Sequence, residues 1–104
     1  MIVEYIRYEV PSSARDAIVD AYRSAGAELQ AAVQCLRFEV AQGVEEPEHF
    51  TVRIEWTSLA DHEQGFRGGE QFASFFAKVK PFFAQIREMK HYRVVVSGEG
   101  AAPR

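Results

Sequence analysis

The segment FTVRIEWT, residues Phe50 to Thr57, shows the clearest alternation of apolar and polar side chains in the chain. Every second residue is apolar, and these positions are Phe50, Val52, Ile54 and Trp56. A period of two is typical of a β-strand that buries one face and exposes the other. The segment therefore predicts a strand in a sheet that has other elements packed against one side.

Three further segments predict strands around this one. The first, Ile2 to Glu9, is rich in β-branched and aromatic residues and ends before a proline. The second, Cys35 to Ala41, places on one side Leu36, Phe38 and Val40. The segment 42–49, with a glycine, a proline and three glutamates, predicts a hairpin loop. We interpret His91 to Val96 as the last strand.

Helical spacing marks two longer segments. The first begins after the candidate cap residues Ser12 and Ser13, has Gly26 as its weak point, and should bury Ile18, Tyr22, Ala25, Leu29 and Ala32. The second should run from Phe72 to Ile86 with a bend at Pro81; it should bury Phe75, Phe76, Val79 and Phe83 and expose Lys78, Lys80 and Gln85. Between them, a short helix after Ser58 should be interrupted by the glycines at 65, 68 and 69.

The predicted order of elements is β-α-β-β-α-β. It favours an α+β fold, a ferredoxin-like βαββαβ sandwich with a four-stranded antiparallel sheet and helices on one face. We expect one domain over residues 1–97 and a disordered tail over 98–104. The outer sheet face should carry mixed charge, with an apolar contribution from Val95. Such a face is suited to packing against a second copy of the chain.

Composition narrows the classes of partner. The chain has 104 residues, one cysteine and a formal net charge of −3. An acidic balance disfavours nucleic acid and anionic membranes as partners. No apolar run approaches the roughly 18 residues of a membrane span, so we expect a cytoplasmic protein with no membrane association.

Local motifs for metal, nucleotide or hydrolytic chemistry are missing from the sequence. His49, His62 and His91 have no short mutual spacing, and Cys35 has no CxxC partner, so we predict no metal site. The glycines of GFRGG (65–69) match neither nucleotide-binding pattern, and no GxSxG elbow occurs.

The stretch from Glu55 to Arg67 is the most informative for function. It places Trp56, His62 and Phe66 at a strand end, a short helix and a glycine loop. Rings with a few polar tips at such a place are what a small-molecule pocket needs. The alternative is that Trp56 and Phe66 belong to the core and that His62 is an exposed helix residue.

The run IEWTSLADHEQGF (54–66), with the later FASFFAKVKPFF (72–83), resembles the antibiotic biosynthesis monooxygenase family of the dimeric α+β barrel superfamily. Trp56, Ser58 and His62 match the family's motif. Two positions depart from it: Ile54 stands where the family more often has an acidic residue, and Phe72 stands where the haem-degrading branch has a histidine. The resemblance implies a homodimer packed sheet against sheet, with an aromatic pocket in each subunit.

The implied activity is oxygenation of a phenol or quinol by O₂ with no cofactor. On this hypothesis His62 is the general base and Arg67 holds the substrate anion. The substrate ring is bound by Trp56, Phe66, Phe72 and Phe76, and Tyr92 hydrogen-bonds a substrate carbonyl. Two other interpretations stay open. One is a non-catalytic binder of a small aromatic ligand, and the other is a structural dimer module whose interior is filled by its own phenylalanines.

Overall fold

A computed structural model of the chain describes residues 1–103. Four strands are present: β1 (Ile2–Glu9), β2 (Cys35–Gln42), β3 (His49–Trp56) and β4 (Ile86–Arg93). The two α-helices are α1 (Arg15–Ala31) and α2 (Phe72–Val79). Shorter helical segments occur as 3₁₀ turns at Ser12–Ala14 and Lys80–Gln85 and as a π-helical segment at Asp61–Phe66.

The strands form one antiparallel sheet in the order β2-β3-β1-β4. In the centre, Ile6 of β1 lies opposite Val52 of β3 on one side and Met89 of β4 on the other. The helices pack on one face of this sheet. The predicted ferredoxin-like α+β fold is confirmed.

The core lies between the helices and β1 and β3. The four alternating apolar residues of β3 are at most 2% exposed, as their period of two predicts. Helix α1 buries the stripe predicted from its spacing, including Ile18 and Leu29. The hydroxyls of Tyr8 and Tyr22 lie 2.6 Å apart, so the two polar groups inside this core satisfy each other.

Helix α1 continues through Gly26 without a break. A Cβ atom at this position would lie 2.8 Å from Cζ of Phe38 on β2. The missing side chain therefore lets the helix approach the sheet at this point, and the predicted weak point is a packing position.

The second long helix is shorter than predicted. Helix α2 ends at Val79 and is followed by the 3₁₀ helix that contains Pro81 near its start. Proline has no N–H to donate and its ring clashes with the preceding turn, so an α-helix does not continue through it. Strand β4 then begins at Ile86, five residues before the predicted strand His91 to Val96, and ends at Arg93.

This boundary changes the predicted core. Phe75 and Val79 are buried as expected, but Phe76 is only half-buried and Phe83 is 37% exposed. The prediction of core positions was therefore wrong for these two residues. Phe83 lies beyond Val79, where the helical stripe stops, and Phe76, inside α2, lines a cavity. Of the three residues expected on the surface, only Lys80 is exposed, whereas Lys78 and Gln85 are half-buried.

Strand β2 contains a register shift between Cys35 and Arg37. The shift brings Cys35 against the core and leaves Leu36 57% exposed, which reverses the sides predicted from alternation at this end. Burial raises the pKa of the Cys35 thiol to about 11.

The chain after β4 contains no helix or strand through residue 103. The predicted tail 98–104 extends to Arg104, which lies outside the described residues. Val95 is 85% exposed and lies past the end of β4, so it does not contribute to the sheet face as predicted. Within residues 1–103, no helix combines the length and apolar character needed to cross a bilayer.

Candidate functional site

A cavity of about 290 Å³ lies between the helix-covered face of the sheet and the segments that follow β3. Its wall is mostly aromatic and includes Trp56, Phe66, Phe72, Phe75, Phe76 and Phe83. The polar groups on the wall are those of Glu4, Tyr8, Tyr22, His62 and Arg67. An apolar cavity with a few grouped polar atoms is the usual form of a small-molecule site.

Strand register places a carboxylate beside the indole of Trp56. Glu4 of β1 pairs with Ile54 of β3, so its side chain points to the same face as the buried residues of β3. Trp56 Nε1 donates a hydrogen bond to Glu4 Oε1 at 3.2 Å, and Glu4 is only 3% exposed. The buried indole N–H is thereby satisfied.

The turn after β3 brings His62 onto Trp56. The Asp61 backbone N–H donates to Ser58 Oγ at 3.0 Å, which supports the predicted capping role of Ser58. The His62 ring stacks on Trp56 with 4.3 Å between centroids and 12° between planes. The side chain is 4% exposed, so the alternative of an exposed His62 is wrong.

The π-helical segment after Ser58 keeps two rings on the cavity. The backbone N–H of Arg67 donates to the carbonyl of His62, a bond that spans five residues. His62 and Phe66 both stay buried in this wide turn, and Phe66 meets Trp56 with 5.0 Å between ring centroids. Arg67 follows directly and lines the cavity.

A second histidine reaches the site from β4. His91 pairs with Glu4 across the strands, so it also points to the covered face. His91 Nε2 lies 2.6 Å from His62 Nδ1, and the other nitrogen of His62, Nε2, lies 3.5 Å from Glu4 Oε1. The three side chains form a row, Glu4 to His62 to His91, with the His62 ring in the middle.

Burial controls the protonation of this row. Burial raises the pKa of Glu4, although the hydrogen bond from Trp56 and the charge of Arg67 act in the opposite direction. Burial, together with the charges of Arg67 and His91, lowers the pKa of His62 to about 4. His62 is therefore neutral near pH 7, as a general base must be.

We expect the free energy of unfolding to fall as the pH drops from 6.5 towards about 4. His62 stays neutral in the folded protein over this range but takes up a proton in the unfolded chain, so acid favours unfolding, by at most about 1.4 kcal/mol per pH unit. The variant His62→Phe keeps a ring against Trp56 and lacks this dependence. Urea unfolding of both proteins across this range should show that the unfolding free energy of the wild type falls relative to that of the variant as the pH drops. A difference in unfolding free energy that stays constant with pH would contradict the prediction.

The same three side chains could also meet a metal ion. One ligand atom from each of Glu4, His62 and His91 lies within 4.8 Å of the others. However, His62 turns one nitrogen to Glu4 and the other to His91, so its two partners lie at opposite edges of the ring. This arrangement fits a row of hydrogen bonds better than ligands converging on one ion. The absence of a metal stays a prediction.

The structure brings six of the seven predicted site residues to one cavity, namely Trp56, His62, Phe66, Arg67, Phe72 and Phe76. Tyr92 is the exception, and its placement in the pocket was wrong. It pairs with Val3, so it points to the outer face, where its ring meets Tyr5 edge-on and its hydroxyl donates to Glu88 Oε1 at 3.0 Å.

The sequence reasoning missed Glu4 and His91. The position of Glu4 could have been predicted, because in the alternating pattern of β1 it lies on the same side as the buried residues Ile6 and Tyr8. A carboxylate at an inward-facing position of a strand is rare unless it has a partner or a function. His91 was predicted to lie in a strand, but the neighbouring residues did not indicate that its side chain points towards the helix-covered face of the sheet.

Comparisons with known proteins agree with this fold. The sequence profile of the family described as antibiotic biosynthesis monooxygenase matches residues 1–78. The uncharacterized protein YczJ of Bacillus subtilis (strain 168) is 22% identical over 95 residues, which cover 91% of this chain and 100% of that protein.

Solved structures with low sequence identity share the fold. A protein of Bordetella bronchiseptica, provisionally named an antibiotic biosynthesis monooxygenase, superposes with a TM-score of 0.79 at 20% identity, covering 91% of this chain and 97% of that one. A mutant of SnoaB, a cofactor-independent oxygenase from Streptomyces nogalater, gives a TM-score of 0.75 at 11% identity, covering 92% and 94% of the two chains. Because the family profile matches 78 of the 104 residues, the chain belongs to the antibiotic biosynthesis monooxygenase family.

Proposed function

We propose that this protein is a monooxygenase that oxidises a small phenol or quinol with O₂ and needs no metal or flavin. The observation that carries the proposal is the aromatic cavity with the neutral base His62 and the carboxyl group of Glu4 on its wall. Membership of the family supports it, as does the shared fold with a cofactor-independent oxygenase.

The chemistry needs an anion in a dry pocket. An electron-rich phenolate can give one electron to O₂, and the resulting radical and superoxide then combine to a peroxide. The peroxide anion takes up a proton and then loses water to leave a quinone, so one oxygen atom enters the product and the other leaves as water. The protein must remove the phenol proton, hold the anion and exclude solvent.

The residues of the cavity can share these tasks. His62 Nε2 takes the phenol proton, and the Arg67 guanidinium holds the phenolate, since its charge already acts on both Glu4 and His62. Rings of Trp56, Phe66, Phe72 and Phe76 bind the substrate ring. Ile54 replaces the acidic residue that the resemblance implies, and its cross-strand neighbour Glu4 supplies a carboxyl group from β1 instead.

Oxygen uptake tests the proposal. The purified protein should consume O₂ with some member of a panel of dihydroxynaphthalenes and anthrones, in the presence of a chelator and without added flavin. Binding of these compounds without oxygen uptake would favour the alternative of a non-catalytic binder. The presence of the cavity disfavours the alternative of a purely structural module, because the interior of such a module would be filled by its own side chains.

We also propose that two copies pack through the outer sheet faces. That face carries the edge-on pair of Tyr5 and Tyr92 among charged residues, and Tyr92 is 42% exposed in the single chain. Light scattering should give about twice the 11.8 kDa mass of one chain. The variant Tyr92→Glu should be monomeric because it places an unpaired charge in the interface.

A control for this dimer prediction is Val44→Glu. Val44 lies in the β2–β3 hairpin loop, outside the strands, and is 88% exposed. This variant should keep the dimer mass. A wild-type protein that has the mass of one chain at micromolar concentration would remove the proposal.

A further inference from the structure

We propose that His91 is a proton-transfer residue that carries the substrate proton from His62 to solvent. The inference rests on the proposed function, because it concerns the proton that leaves the phenol when the substrate is ionised. The proposal assigns a role to a residue of β4, the last strand, and this residue does not line the cavity.

The geometry supplies a path with two ends. At the inner end, His62 Nε2 lies on the side of Glu4, which lines the cavity, and the His62 side chain is 4% exposed. At the outer end, His91 is only half-buried. Between them, Nδ1 of His62 and Nε2 of His91 are 2.6 Å apart, which is a hydrogen-bond distance over which a proton can pass.

The environment of His62 favours such a path. Titratable groups from three elements act on the ring: Glu4 on β1, Arg67 after the π-helical segment and His91 on β4. The Arg67 charge and burial both oppose an imidazolium at this position, so His62 is a poor final acceptor for a proton. A base that receives a proton at one nitrogen and gives one up at the other never becomes charged.

The transfer can be written so that protons balance. In the resting pair, His62 Nδ1–H donates to His91 Nε2. When Nε2 of His62 takes the phenol proton, the Nδ1 proton passes to Nε2 of His91, and the Nδ1 proton of His91 goes to solvent. The peroxide later takes the proton from Nε2 of His62, and the reverse transfer through His91 restores both tautomers.

His91 lies in a less buried place than His62. Burial lowers the pKa of His91, and the Arg67 charge acts in the same direction, whereas the nearby carboxylate of Glu63 opposes the shift. His91 can therefore accept and release a proton more readily than His62, because it is less buried.

The test is buffer rescue of His91→Ala. In dilute phosphate with an active phenolic substrate, we expect kcat to fall at least about tenfold and KM to stay within about twofold. Added imidazole can enter the gap left at the half-buried position, so kcat of this variant should rise with imidazole concentration. The wild-type rate should not depend on imidazole. His49→Ala, which removes an exposed histidine paired with Glu46, is the matched control and should behave as wild type.

Two results would overturn the inference while leaving the proposed function intact. One is a wild-type kcat for His91→Ala in dilute buffer. The other is a loss of kcat that imidazole does not restore, which would mean that His91 only supports the structure. ¹⁵N NMR of the free protein gives a readout without activity: protonated Nδ1 on His62 supports the path, and protonated Nε2 on His62 opposes it. Absence of oxygen uptake by the wild type would remove the proposed function itself.

Discussion

The variant His62→Gln is expected to lower kcat for phenol oxygenation by about 10² to 10⁴, the usual contribution of general base catalysis. Glutamine has similar reach and keeps a polar group near Glu4, but it does not accept a proton near pH 7. Oxygen consumption at saturating substrate measures the effect. His49→Gln serves as the control because His49 is half-exposed and lies at the other end of β3.

This experiment needs a stability measurement beside it. Substitution of an exposed His62, the alternative that the sequence left open, would hardly change folding, but the ring is buried on Trp56. Some loss of stability is therefore expected, so the variant must be shown to be folded at the assay temperature by urea unfolding. A folded variant with full activity would show that substrate ionises without His62.

Truncating Phe50 to Ala should destabilise the fold by about 3 to 5 kcal/mol, the usual cost of removing a buried phenylalanine ring. Phe50 is 2% exposed in the core under α1 and does not line the cavity of the candidate site. The loss has two parts, since the ring returns to water and the space it filled stays open. Urea unfolding near neutral pH measures the change.

Phe83→Ala is the matched control for this prediction. Phe83 is the same residue type but is 37% exposed and lies in the 3₁₀ helix after α2. Its truncation should cost much less, about 1 kcal/mol, because less apolar surface leaves the interior. Equal losses for Phe50 and Phe83 would mean that the β3 face has been assigned wrongly.

The fold could be predicted because its signals are local. The period of two in β3 and the stripe of α1 each reflect which side of one element is buried, and both are confirmed. The order of such elements along the chain then leaves few ways to cover one face of a sheet. The six cavity residues could be predicted because they lie in or next to the two segments, 54–66 and 72–83, that resemble the family.

The ends of the helices and strands, and the sheet face to which each side chain of β4 points, were harder to predict from the sequence. An apolar run of phenylalanines did not reveal that α2 stops at Val79 and that a strand starts at Ile86. Because the side chains of a strand alternate, the face of Tyr92 depends on the pairing register of β4. Sequence periodicity inside β4 is weak, so only the pairing with β1 decides that His91 points inward and Tyr92 outward.

By itself the sequence determined the antiparallel α+β fold, the buried faces of β3 and α1 and the aromatic character of the pocket, because each is set by short-range spacing. Only the tertiary structure decided that Glu4, His62 and His91 form one row. These residues come from β1, the π-helical segment and β4, and their spacing along the chain carries no sign of contact. The antiparallel pairing of β1 with β4 places Glu4 opposite His91, and the turn after β3 lays His62 between them.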